Sequence, residues 1–159
     1  MVKLQLLIKA ELENVTELVP ASDDFEYFFQ VQCNSCHEIH PKVVALNRIE
    51  ERELSSSRGA ANFIWRCGVC KRESSATFDS SPPKPYSEEN GGFAPLLIIE
   101  CRGLEFIGFD PRGIWKCKGT ESGTLFPEVD LSEGEWTEYD EKSTLPVNIS
   151  NIESKWVRA

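Results

Sequence analysis

Histidine and methionine are almost missing from this chain: His37 and His40 are the two histidines, and Met1 is the single methionine. The usual general base is therefore confined to one short segment, and a thioether ligand for a haem iron is not on offer. Nucleophile motifs and glycine-rich phosphate loops are absent as well, so the chain is not expected to be an enzyme. Positive charge is short, with 17 Lys and Arg against 26 Asp and Glu and a formal net charge of −9. Such a surface repels phosphate backbones and anionic lipid, so neither nucleic acid nor a membrane is an expected partner. Long apolar runs are missing too. In MVKLQLLIKAELENV the apolar residues are interrupted by Lys3, Gln5, Lys9 and Glu11. No signal peptide or membrane span is expected, and the expected compartment is the reducing cytoplasm. Helical stripes, coiled-coil heptads and internal repeats beyond one cysteine motif are also lacking.

What is present is alternation. Val2, Leu4, Leu6, Ile8, Ala10 and Leu12 share one parity, as do Phe25, Tyr27, Phe29, Val31 and Cys33, and again Phe63, Trp65 and Cys67. A period of two marks half-buried strands, and the run Leu96-Leu97-Ile98-Ile99 marks a strand covered on both faces. Shorter strands are expected at 42–50, 74–79, 105–109, 114–118 and 147–157. Ser132-Glu133-Gly134-Glu135 has the form of a capping box for one helical turn, weakened by Gly134. The turn-rich segments at 55–59 and 80–92 are expected to be surface connections. The expectation is a single mostly-β domain over 1–159, an antiparallel sandwich or partial barrel.

The chemistry sits in CNSCHEIH, residues 33–40, and in the CGVC of residues 67–70. C-x-x-C-H is a haem-attachment signature, C-x-x-C alone is a redox dithiol, and two such motifs together make a zinc site. Haem leaves Cys67 and Cys70 unexplained and lacks a second axial ligand other than His40, too near His37. A redox dithiol wants its first cysteine at a helix start, and neither motif opens a helix. Zinc uses all four sulfurs. Each motif follows a strand pattern, so Cys33, Cys36, Cys67 and Cys70 are the expected ligands of one Zn2+ per chain. Residues 33–73 would then form a zinc-ribbon-like module whose hairpin excursion is closed at its base by the metal.

Arg66, Lys71 and Arg72 stand beside the second motif, where they would offset the −2 charge of a tetrathiolate zinc. Residues 33–73 hold seven Lys and Arg against five Glu, a net +2 that leaves −11 on the rest of the chain. His37 and His40 are expected to be exposed loop residues beside the site, with ligation or hydrogen bonding to thiolates as the alternative. Cys101 and Cys117 lie on apolar stretches and are expected to be buried, inert thiols. Between Glu121 and Glu141 there are eight acids and no base, with Phe126, Trp136 and Tyr139 among them. A solvated loop with its aromatics tucked into the sheet is expected there, the alternative being a partner-binding surface.

The paired knuckles CNSC and CGVC, the ECRGLE of residues 100–105, SGT-x-F, and W-x-x-YDEK resemble the eukaryotic CXXC-motif-containing zinc-binding protein family. The resemblance runs nearly end to end and includes L-x-x-KAELENVT and KPYSEEN. It implies a small cytosolic β-rich protein with one zinc held by Cys33, Cys36, Cys67 and Cys70, and no assigned enzymatic activity. The expected function is a structural zinc site in a non-catalytic, monomeric protein–protein interaction module. The alternative is a metal-handling or thiol-redox protein whose exposed site exchanges zinc or copper.

Overall fold

The computed structural model describes residues 2–54, 59–87 and 92–159, and the alternation of the sequence emerges there as strand. Fourteen strands and no helix occur among the described residues. No helix is long and apolar enough to cross a membrane. The centre of the molecule is β1 (Val2–Glu13), flanked by β14 (Leu145–Arg158) and β9 (Ala94–Arg102). With β13 (Trp136–Asp140), β8 (Glu73–Phe78) and β7 (Phe63–Arg66) they form an antiparallel six-stranded sheet ordered β13-β14-β1-β9-β8-β7. β1 sends Leu4, Leu6, Ile8, Ala10 and Leu12 into the core and Lys3, Lys9 and Glu11 to solvent. Each fully buried Leu or Ile of that row is worth about 1.5–3 kcal/mol. Register shifts at Leu6/Leu7 against β9 and at Lys9/Glu11 against β14 add local twist. The result is a curled, half-barrel sheet.

Two three-stranded sheets line the rest. β10 (Leu104–Asp110), β3 (Tyr27–Cys33) and β4 (Val44–Leu46) make one; β12 (Leu125–Asp130), β11 (Ile114–Gly119) and β2 (Val15–Pro20) make the other. A two-stranded pair, β5 (Arg52–Glu53) with β6 (Ala60–Ala61), stands apart. The chain changes sheet at single-residue corners with positive φ. Asn14 (φ 60°) turns β1 into β2, and Gly103 (φ 77°) turns β9 into β10. Aromatic rings knit the core: Phe29 packs on Phe106 of its own sheet at 4.8 Å between centroids and on Trp156 of the six-stranded sheet at 4.9 Å, and Phe25 packs on Trp115 at 5.3 Å.

Several expectations shift. The strand at 42–50 shrinks to Val44–Leu46, because the Asn47 side chain folds back to accept the amides of Ile49 and Glu50. In place of the helical turn at 132–135 there is a single hydrogen-bonded turn in which Gly134, at φ 82°, donates to the Leu131 carbonyl. The acidic 121–141 stretch is not a solvated loop. It contains β12 and β13, with Phe126 packed edge-on against Trp136 at 5.4 Å and Tyr139 exposed. Both strands are sheet edges, where outward acids hide the alternation of a strand. The described part of the 80–92 connection is mostly exposed, as expected, but it is anchored at one residue. Tyr86 is buried, exchanges backbone hydrogen bonds with Leu18, and donates its hydroxyl to the Gly92 carbonyl at 2.9 Å. Its residues 88–91, and residues 55–58 of the other connection, lie outside the described residues.

Candidate metal centre

The two cysteine motifs terminate strands of different sheets. Cys33 is the last residue of β3, and Cys67 follows directly on β7. Both turns have the same backbone. His37 donates to the Cys33 carbonyl at 2.9 Å, and Lys71 to the Cys67 carbonyl at 3.0 Å. Cys33 donates in turn to the Glu38 carbonyl at 2.8 Å, and Cys67 to the Arg72 carbonyl at 3.0 Å. The residue after each second cysteine is left-handed, His37 at φ 64° and Lys71 at φ 63°. Within this shared turn, backbone amides point at sulfur: Cys36 and Ser35 donate to Cys33, and Cys70 and Val69 to Cys67.

The four sulfurs converge. Cys36 Sγ lies 3.5 Å from Cys67 Sγ, Cys33 Sγ lies 3.6 Å from Cys70 Sγ, and all four sit within 4.8 Å of one another. Bonds of about 2.3 Å to a tetrahedral zinc would set sulfurs about 3.8 Å apart, so the cluster fits that ion. All six cysteines are free thiols, and among the described residues no other cluster of metal-ligating side chains occurs. Cys33 and Cys67 are fully buried, whereas Cys36 and Cys70 are partly exposed. The amides of Cys36 and Ser35 hold the Cys33 thiol down to about 7, and those of Cys70 and Val69 lower Cys67. At Cys36 the Glu38 amide favours the thiolate, but burial and the neighbouring thiols of Cys67, Cys33 and Cys70 outweigh it and push the proton affinity up to about 12.

A web of hydrogen bonds fixes one knuckle to the other. The Gly103 carbonyl accepts the Asn34 amide at 3.0 Å and the Ser74 hydroxyl at 3.1 Å. This corner of ECRGLE is thus the shelf between them, and a Cβ on Gly103 would come within 2.9 Å of Ser74 Oγ. Arg72 reaches from the second knuckle to Ser35 of the first at 3.2 Å. Arg66 donates to the Lys71 carbonyl and Lys71 to the Gly68 carbonyl, so these cations stay beside the sulfurs. His37 is exposed and outside the four-sulfur cluster. His40 rests 5.2 Å from the Trp65 ring and accepts the Lys42 amide at Nδ1. Cys101 and Cys117 are buried away from the cluster, and burial pushes both up to about 12.

One polar centre escaped the sequence analysis. Asp140 is buried at the end of β13 and accepts the hydroxyls of Ser122 and Thr124 and the amide of Lys142. It fills the turn after Gly119, where a Cβ would come within 2.6 Å of Asp140 Oδ2. The signal was the pairing of SGT with YDEK, which are distant in sequence but joined in the fold.

Two four-residue knuckles brought together by an all-β half-barrel form a four-cysteine cluster of the class that fits a zinc site. The chain belongs to the eukaryotic family of CXXC motif containing zinc binding proteins, whose model matches residues 5–157. It is 38% identical to the CXXC motif containing zinc binding protein of Homo sapiens over 157 residues, 98% of each chain. A solved structure described as "Crystal Structure of C1orf123" superposes with a TM-score of 0.92 at 37% identity, covering 99% of both chains. A hypothetical protein from Plasmodium falciparum superposes with a TM-score of 0.86 at 28% identity, covering 99% of this chain and all of the other.

Proposed function

We propose that Cys33, Cys36, Cys67 and Cys70 hold one structural zinc ion, and that the chain is a non-catalytic, monomeric, cytoplasmic module that binds another protein. The observation that carries this reading is the origin of the sulfurs: one pair sits in the turn that ends a strand of one sheet, and the other pair in the turn that ends a strand of another. An ion bound there staples the sheets. With four protein sulfurs as donors, no position is left for a water or substrate, which catalytic zinc requires. One hydrophobic core cluster draws on strands from the N-terminus to β14, in keeping with a single domain over 1–159. The 33–73 segment is then a zinc-bearing part of that domain.

For the partner, the favoured surface is a groove of about 520 Å³ whose apolar lining includes Val19, Pro20, Pro85, Leu125 and Phe126. Leu125 is 73% exposed, and the acidic β12–β13 segment adjoins it. This pairing suits a protein segment carrying an apolar residue beside basic ones, whereas nucleic acid and anionic membranes meet repulsion. Leu125→Lys should abolish co-purification of a partner while leaving the melting temperature unchanged. An equal yield of that partner with the variant would rule the groove out.

The partial exposure of Cys36 and Cys70 favours a second reading, in which the site hands zinc or copper(I) to others. Chelation separates the two. A structural ion should leave slowly, over hours, and its loss should bring cooperative unfolding of the strands around the knuckles. Departure within seconds, with circular dichroism unchanged, would favour exchange.

A further inference from the structure

Four sulfurs within 4.8 Å of one another admit more than one pairing into disulfides. We propose that hydrogen peroxide oxidises this cluster crosswise, joining Cys36 to Cys67 and Cys33 to Cys70, and so locks the knuckles together when the metal leaves. Burial decides where peroxide enters. Cys36 and Cys70 are partly exposed, whereas Cys33 and Cys67 have no accessible surface. Each exposed sulfur lies against the buried sulfur of the other knuckle, at 3.5 Å for Cys36 with Cys67 and at 3.6 Å for Cys70 with Cys33. A disulfide of about 2.05 Å needs these pairs to close by about 1.5 Å. Arg72 on Ser35, and the Gly103 carbonyl shared by Asn34 and Ser74, hold the knuckles in register for that movement.

The chemistry proceeds in two steps per pair. The Cys36 sulfur attacks one peroxide oxygen, the O–O bond breaks, the thiol proton goes to the departing hydroxide to make water, and a sulfenic acid remains. The Cys67 thiolate then attacks the sulfenic sulfur, forms the S–S bond and expels hydroxide. Each pair gives up two electrons, and each peroxide, after taking up two protons, becomes two waters. Cys70 and Cys33 repeat the sequence with a second peroxide. Oxidised sulfurs no longer hold a divalent ion, but the two new bonds span the same sheets that the ion joined. Zinc would therefore be released without loss of the fold, and reduction would restore the site.

Pairing is diagnostic of the folded geometry. The crosswise bonds join residues 31 and 37 apart in sequence, whereas an opened chain favours the short loop within each C-x-x-C. The test treats the purified protein with hydrogen peroxide, then unfolds it in denaturant, caps remaining thiols with N-ethylmaleimide, and maps disulfides in a non-reducing digest. A metallochromic dye follows zinc, and circular dichroism follows the fold. The expected result is peptides joined 36–67 and 33–70, an unchanged β spectrum, and Cys101 and Cys117 capped. In Cys70→Ser, the 36–67 bond should persist and Cys33 should be capped. Bonds within a knuckle, or sulfinic and sulfonic acids without a disulfide, would overturn the proposal. A dye that finds no zinc before peroxide counts against the zinc reading alone, since the disulfide map still decides the pairing.

Discussion

At the scale of single residues, the backbone explains what side-chain chemistry leaves open. His37 follows a C-x-x-C and invites assignment as a ligand, yet its left-handed conformation matches that of Lys71 at the equivalent point of the other knuckle. Position 37 serves the turn. His and Asn both tolerate φ near +60°, so His37→Asn should retain zinc and shift stability by no more than about 0.5 kcal/mol. Loss of the metal from that variant, read by native mass spectrometry, would make the imidazole a ligand after all. Asn14 and Gly103 have comparable roles at the corners of the half-barrel. Those φ values have no counterpart in hydrophobic periodicity, which is why the strands were legible in the sequence and their corners were not.

At the scale of elements, legibility follows burial. β1, β3 and β9 have alternating or continuous apolar faces because a core covers them, and the sequence declares them. β12 and β13 are edges with acids on the open side, so no apolar face announced them. What fastens β13 to the β11–β12 turn is Asp140, whose pKa is lowered chiefly by the Ser122 hydroxyl, with Ser143, Thr124 and the Lys142 amide assisting. A carboxyl with a depressed folded pKa binds its proton more readily when unfolded. Its stabilisation is thus fully present above the unfolded value near ~3.9 and fades as pH falls through the folded one. Asp140→Asn should be less stable than the parent at pH 7, and the gap in urea midpoint should narrow below pH ~4. A gap independent of pH would mean that Asp140 contributes packing and not charge.

At the scale of the whole molecule, the cysteine spacing pointed to a common site, and its place between sheets came only from the topology. The first knuckle ends a strand paired with β10, and the second ends a strand paired with β8. Nothing in the interval between the two motifs signals that these strands belong to separate sheets. An ion held there would join the two sheets, which makes metal content the decisive quantity. The measurement to make is native mass spectrometry of the protein expressed without added metal, alongside Cys33→Ser and Cys101→Ser. One zinc per chain in the parent and in Cys101→Ser, with none retained by Cys33→Ser, is the expected result. A reduced parent free of metal yet fully folded, or zinc retained by Cys33→Ser, would contradict a structural tetracysteine centre.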